Sequence, residues 1–368
     1  MVSIVGAGPV GGYLAYLLAK NGEKVDIYEE HAEVGKPVQC TGVVTSALTD
    51  ILGFDVNKRF ILNEINRIKI LSPDQDFLEL ELKQGDIVLD RFEFDKFLVG
   101  KAMNNGAELF SGYKFLSNWG GKIKFKKRFG GHIARKQDIL IGADGVLSRV
   151  AKANNLFLGR KFVQGVQARV YGFNEINRVE IFLGFGEFLW VVPEGNGIAR
   201  VGLVGNTSRD LRDLLNKFLC EKKLKAIDFQ SGLIPLYYPK VRTKDRDIFL
   251  VGDAATQVKA TTYGGIIPGL MAAKELAGSI LEDSGKSYEQ RWRKIIGKEL
   301  RAHLFMRQCM NRFSARDYDR LVNLCKNCKD ILENGNRDFP AKFLLRMAIK
   351  EPNLVGLAGG KFIRGIFS

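Results

Sequence analysis

Apolar and polar positions along the chain change period several times, and each change predicts a different kind of element. Val2–Val5 is a short apolar run that ends in glycines. From Pro9 to Lys20 the apolar residues recur at helical spacing, with Gly22 just beyond as a stop signal. Val25–Tyr28 is a second apolar run, so the opening segment reads as a β–α–β unit of about 30 residues, the length a parallel crossover requires. From Ile65 onward the period drops to two. Ile65–Leu71 and Phe77–Leu82 alternate as half-buried strands do. Phe94–Asn104 returns to helical spacing. Lys114–Trp119 and Lys122–Lys126 then flank Gly120-Gly121, a hairpin signature.

Ile139–Ile141 is another short strand, ending in Gly142-Ala143-Asp144-Gly145. Residues 162–204 alternate again with glycines at the turns, Asp210–Lys223 is an amphipathic helix, and Ile248–Val251 is a strand that runs into Gly252-Asp253. A helix is expected over residues 266–281, and the chain from Tyr288 reads as helical and basic. No internal repeat or low-complexity linker interrupts it. Parallel-strand motifs therefore sit near both ends of a region filled with antiparallel sheet. The expected class is α/β (α+β): a Rossmann-type nucleotide-binding domain with a parallel sheet, interrupted by an antiparallel-sheet domain, with a helical C-terminal region. The expected boundaries are 1–60, 85–155 and 245–287 for the first, 61–84 and 156–244 for the second, and 288–368 for the third.

Composition narrows the field only slightly. The 368 residues are 46% hydrophobic and 26% charged, enough for one large core or two modest ones. No apolar run is long enough to span a bilayer, and no leader precedes Val2, so a cytoplasmic location is expected. The net charge of +15 favours an anionic neighbour: a phosphorylated substrate, an acidic redox protein or an anionic membrane surface. Nucleic acid is not expected, because no recognition motif accompanies the charge. Cys325 and Cys328 form a lone C-x-x-C without the further ligands a zinc site needs, and no metal is expected. They read as packing or surface thiols, with a disulfide to Cys309 as the alternative.

Chemistry enters with Gly6-Ala7-Gly8-Pro9-Val10-Gly11-Gly12, which follows a strand and opens a helix. Gly6 allows the tight turn, Gly8 lets backbone approach a diphosphate, and Gly11 lets helix pack closely on strand. The phosphates would sit at the helix N-terminus, where free N–H groups and the dipole favour negative charge. Glu29 closes the second strand, where a carboxylate accepts hydrogen bonds from a ribose diol. Together these residues predict a dinucleotide, with FAD and NAD not separated by this motif alone.

Two later motifs make the choice. Ile139–Arg149, with Asp144-Gly145, resembles the Asp-Gly motif of flavoprotein hydroxylases, and Asp247–Ala255, with Gly252-Asp253, resembles their Gly-Asp motif. The resemblance implies FAD, with Asp253 on the ribityl chain and Gly264-Gly265-Ile266 opening a helix toward the flavin pyrimidine. It also implies that Arg91 lies near the cofactor. A fourth segment, Gly35-Lys-Pro37-Val-Gln-Cys40-Thr41-Gly42, is similar to that of the geranylgeranyl reductase family, as is Phe188-Leu-Trp190-Val-Val-Pro193. The likeness spans about residues 2–285. It departs at Phe188, where the family has Tyr, at Val192 for Phe, at Tyr263 for Gly, and at Ala260 for Pro.

This resemblance implies a reductase that saturates isolated C=C bonds of a geranylgeranyl lipid of the archaeal kind. Hydride would come from reduced flavin, with a proton from the flavin, Cys40 or water, inside an apolar tunnel walled by Phe188 and Trp190. An isolated alkene offers no carbonyl to polarise, which agrees with a chain whose only histidines, His31, His132 and His303, stand in no catalytic pattern. No second G-x-G-x-x-G follows a strand, so electrons are expected from outside: NAD(P)H docking transiently, or a ferredoxin. The tail Leu354–Ser368 alternates cationic and apolar residues, as at a membrane surface, which makes a peripheral place on the inner face of the membrane the extended expectation. Two other readings stay open: an oxygen-using flavin hydroxylase or halogenase on the same scaffold, and a flavin-binding protein without enzyme activity.

Overall fold

The computed structural model describes residues 1–54, 56, 58–206 and 210–359. Its first sheet has six strands in the order 244–245, 248–250, 139–142, 2–5, 25–29, 108–111. All neighbours are parallel except the two-residue strand at the edge. The strands Val2–Val5 and Ile139–Gly142 are almost wholly buried, as a sheet covered on both faces requires.

The first helix, Pro9–Lys20, starts on a proline whose missing N–H costs nothing there. It ends in a Schellman turn: Gly22 donates to the Ala19 carbonyl and Glu23 to that of Leu18, with Gly22 at φ +86°. The helix packs against helices Arg91–Met103 and Ile266–Asp283. The helix expected from Phe94 begins three residues earlier, because the Asp90 carboxylate caps it by accepting from the Phe92 and Glu93 amides.

The second sheet has eight strands, in the order 225–235, 162–171, 198–205, 188–195, 178–183, 61–71, 77–89, 43–44. Every pairing is antiparallel except that of 178–183 with 61–71. The strand expected over Phe77–Leu82 continues to Leu89, since its far half pairs with residues 61–65 on one edge and with 43–44 on the other. Lys225–Pro235 is a strand that the alternation does not announce. It is an edge strand, and its first half is exposed on both faces.

Residues 113–119, 122–127 and 132–136 form a small third sheet. Gly120 and Gly121, at φ +55° and +69°, make the expected tight hairpin turn. Beyond Tyr288 the described chain is helical through Leu357, including a π-turn at Arg293–Gly297 and a Ser314–Asp317 capping box. No helix among the described residues is long and apolar enough to cross a membrane. The cysteines are free, so the disulfide alternative does not form; Cys325 and Cys328 pack among Leu321, Leu332 and Phe343. Of the tail Leu354–Ser368, residues 360–368 lie outside the described chain, and Leu354 is buried against Met347 and Ile331.

Candidate functional site: a dinucleotide cavity closed by the second sheet

Three neighbouring parallel strands end in the three glycine-bearing turns, at Gly6, Gly142-Ala143-Asp144 and Gly252-Asp253. Backbone bonds lock the turns together: Gly6 donates to Tyr28, Ala143 to Val5, and Val251 to Gly142, at 2.8–3.0 Å. The carboxyl edge of an α/β sheet is where ligands bind. A cavity of about 550 Å³ opens there, with Gly6, Gly8, Glu29, Cys40, Arg91, Asp144 and Asp253 all in its wall.

The glycines divide the work. A Cβ on Gly11 would lie 2.1 Å from the Gly6 carbonyl oxygen, and one on Gly6 would lie 2.3 Å from that of Ala143. Those positions are closed by protein. A Cβ on Gly8 meets nothing within 4 Å, and the residue lines the cavity, so the space it leaves is open to a ligand. Pro9 and Gly11 act from beneath, shaping the helix start. Glu29 accepts from the Ala7 amide at 2.9 Å and from the His31 amide at 2.9 Å, and its Oε1 stands 2.6 Å from His31 Nδ1. His31 therefore belongs to this wall as a satisfied histidine.

At the other end, Arg91 grips Asp95 with Nε and Nη2 at 3.1 and 3.0 Å. Burial alone would lower the guanidinium pKa, but the Asp95 carboxylate outweighs it and holds Arg91 firmly cationic. The Asp253 carboxyl accepts no hydrogen bond from any described residue, and burial pushes it above the usual range, with Arg91 opposing. It is a free partner for a hydroxyl-bearing ligand. Asp144 differs. Its oxygens accept from Ser148 Oγ at 2.5 Å and from the Arg149 and Val150 amides at 2.7 and 3.0 Å, so it caps the short helix Arg149–Ala153 while facing the cavity. Gly265 sits against Asp253, where a Cβ would lie 2.5 Å from its Oδ1, which brings the Gly264-Gly265-Ile266 helix start beside the cavity without lining it.

Thr41, Phe188 and Trp190 lie outside the cavity wall; the polar network of the second sheet joins Thr41 to Trp190, and Phe188 packs on Trp190 with ring centroids 5.7 Å apart. Gln167 Oε1 accepts from Thr41 Oγ1 at 2.7 Å and from Trp190 Nε1 at 3.2 Å, while its Nε2 donates to Gln230. The Cys40–Thr41 backbone is held by Arg200, which donates to the Thr41 carbonyl at 2.6 Å and the Cys40 carbonyl at 3.3 Å. Arg200 is ion-paired with Glu194, whose side chain is 3% exposed and also meets Arg169. The Phe188 ring stacks on Tyr263 at 6.0 Å, and the Tyr263 hydroxyl donates to Glu187. Arg307 lies over both rings and donates to the Ala260 and Thr261 carbonyls. Sequence reading missed Gln167, Glu194, Arg200 and Arg307. The available signal was charged and amide side chains on strands otherwise apolar, at Gln167, Glu194 and Arg200.

These residues fit a flavin dinucleotide. Gly8 leaves open space at the start of the first helix, Glu29 puts a carboxylate in the same wall where a sugar could meet it, and the Asp253 carboxyl is free for a ribityl hydroxyl. Fold and cavity define a Rossmann-type flavoprotein. Residues 4–43 match the model of the NAD(P)-binding Rossmann-like domain. The chain is 31% identical, over 88% of its length and 90% of the relative's, to digeranylgeranylglycerophospholipid reductase of Methanothrix thermoacetophila. It is 30% identical to digeranylgeranylglycerophospholipid reductase 2 of Methanothermobacter thermautotrophicus, over 87% and 90% of the two chains. It belongs to the digeranylgeranylglycerophospholipid reductase family. A geranylgeranyl bacteriochlorophyll reductase-like protein of Thermoplasma acidophilum shares the fold at a TM-score of 0.82 and 22% identity, covering 96% and 97% of the two chains. The fold extends to the myxobacterial chondrochloren halogenase, a FAD-dependent halogenase, at a TM-score of 0.67 and 16% identity over 95% and 96%.

Proposed function

We propose that the protein binds FAD in this cavity and uses it to saturate isolated C=C bonds of geranylgeranyl chains in isoprenoid membrane lipids. The observation that carries the reading is the meeting of two things at one wall. A dinucleotide cavity ends at Cys40 and Arg91, and a sheet bearing Phe188 and Trp190 is pinned to the Cys40 segment through Gln167 and Arg200. Membership of the reductase family supports it. The three units expected from sequence serve this reading as the FAD-binding part, the substrate sheet and the helical cover.

Bound in reduced form, the flavin supplies the hydride equivalent for an alkene carbon. This chain's residues do the rest. The free N–H groups at the start of helix Pro9–Lys20 hold the diphosphate, and Glu29 holds the adenosine sugar. Asp253 would hold the ribityl chain, and the start of helix Ile266–Asp283, beside the cavity, would lend its positive end to a reduced flavin ring. Phe188, Trp190 and Tyr263 present apolar faces that exclude water and hold the alkene in place. The Cys40 thiol, whose Sγ accepts from the Gly42 amide at 3.2 Å, stands beside the cavity as one source, with water or the flavin, of the proton that the second alkene carbon would take. No oxyanion stabiliser is required, because an isolated alkene develops no oxyanion.

Electrons come from outside, as NAD(P)H docking transiently or from a ferredoxin. Mixing oxidised protein with each donor separately under nitrogen, and following the loss of flavin absorbance, distinguishes them. Chemically reduced protein given a geranylgeranyl lipid without oxygen tests the reaction. The expected product gains two mass units per double bond. A strict requirement for oxygen would replace this reading with a hydroxylase or halogenase, and flavin that neither alkene nor oxygen reoxidises would leave a binding protein.

A further inference from the structure

Residues 109–137 contain no Asp or Glu and eight Lys or Arg, so this stretch alone accounts for more than half of the net charge of +15. It is the segment that folds as the small third sheet. One face of that sheet is fully used. Phe115, Ile123 and Phe125 are 0–2% exposed and pack on Tyr28, Leu140 and Val150 of the nucleotide domain.

The other face packs on no element among the described residues. Lys122, Lys124, Lys126 and Lys136 are all exposed on it and form no ion pair with a described acid. The register sets like charges directly across from each other: Lys122 opposite Lys136, and Lys126 opposite Lys114. Directly opposed like charges destabilise a sheet. Only Lys114 has an acid to meet, Glu30 at 2.7 Å. Trp119 stands in the same face opposite Lys122 and is 90% exposed, and Phe129, at the turn on the sheet's other end, is 91% exposed. A hollow of about 350 Å³ lies beside Trp119, Lys122 and Lys124.

We infer that this lysine face is a docking surface for an anionic phospholipid membrane. Clustered lysines are attracted to a negative lipid surface, and Trp and Phe at the rim enter the headgroup layer, where amphipathic rings are most stable. The headgroup phosphates would relieve the repulsion built into the register. An acidic protein would match the charge but not the isolated aromatic tips. A single-stranded nucleic acid would want several rings spread across the face, where only Trp119 stands. The surface is distinct from the C-terminal tail, whose Leu354 is turned inward. It also does not depend on the reaction proposed above.

The test uses the full-length protein and sedimentation with vesicles of equal parts phosphatidylcholine and phosphatidylglycerol, against phosphatidylcholine alone. The parent protein is expected to bind the mixed vesicles only, and to release them in high salt. The combined variant Lys122→Gln, Lys124→Gln, Lys126→Gln and Lys136→Gln is expected to bind roughly a hundredfold more weakly. Its melting temperature should be equal to or above the parent's, since the repulsion is gone, and its flavin content should be unchanged. Trp119→Ala with Phe129→Ala should weaken binding by about tenfold. The inference falls if the lysine variant binds like the parent, if the parent ignores anionic vesicles, or if deleting residues 354–368 alone abolishes binding. Retention on immobilised RNA or an acidic protein without vesicle binding also overturns it. Turnover of detergent-dispersed lipid, unaltered in the lysine variant, reads the proposed reaction separately.

Discussion

The two large sheets reach one site by opposite routes. In the parallel sheet each contribution is local: a strand, a glycine turn and a helix within a few residues of each other set the geometry, and they do so mostly through backbone. In the eight-stranded sheet the contributions come from far apart in the chain and are joined by side chains. Gln167 links Thr41 to Trp190, and Arg200 links Glu194 to the Cys40 segment, 160 residues away. A local device fails through shape. A long-range polar device fails through an unpaired charge or donor, so the two halves should respond differently to substitution.

The sharpest contrast is at Arg200. Arg200→Met leaves Glu194 buried with only the more exposed Arg169 to meet it, and should cost about 3–5 kcal/mol in urea unfolding. The double variant with Glu194→Leu should recover most of that loss. If the single variant is neutral, the second sheet is not held by its charges. Gly11→Val is the corresponding break on the parallel side. Its side chain must enter the Gly6 backbone, at a cost of about 3 kcal/mol and with loss of flavin. Gly8→Val separates shape from stability. The fold has room for it, so melting should barely move, while FAD affinity falls on the order of a hundredfold because the side chain occupies the diphosphate's place.

Gln167→Leu tests the network at its hub. Trp190 and Thr41 lose their acceptor, worth about 1–3 kcal/mol. FAD should bind as before while turnover drops about tenfold. Equal losses of both would erase the distinction between the halves.

The smallest effect is in pH. His303 is buried beside Thr261, with Nδ1 2.6 Å from its hydroxyl, and faces Lys259 and Asp338. Burial, then the Lys259 charge, pushes its pKa down to about 3, against an ordinary value of 6.5. The fold keeps the ring neutral while the unfolded chain protonates, so this contribution is complete above pH 6.5 and is lost as pH falls toward 3. Between pH 6.5 and 5 the loss should be roughly 1–2 kcal/mol, and His303→Gln should flatten that slope.

The same contrast explains what was legible in the sequence. Gly6, Gly8, Gly11 and Glu29 announce themselves because their spacing is the geometry. Gly120-Gly121 does so for the same reason. Gln167, Glu194 and Arg200 carry no spacing signal, since their meaning depends on which strands become neighbours. Strand Lys225–Pro235 was hidden because an exposed edge needs no alternation. Trp190 could be picked out by resemblance, but only the register shows that its indole shares an acceptor with Thr41. The charge of the third sheet was visible as a total and became a surface only once alternate residues were sorted onto two faces.

The central claim is that the cavity is built for both halves of a flavin dinucleotide. Titrating flavin-free protein with FAD and then with FMN, and following quenching of flavin fluorescence, tests it most directly. The account predicts one FAD per chain, and FMN bound at least a hundredfold more weakly because it lacks the adenosine that Glu29 and the first helix hold. Equal affinity for the two, or no quenching by FAD, would contradict it.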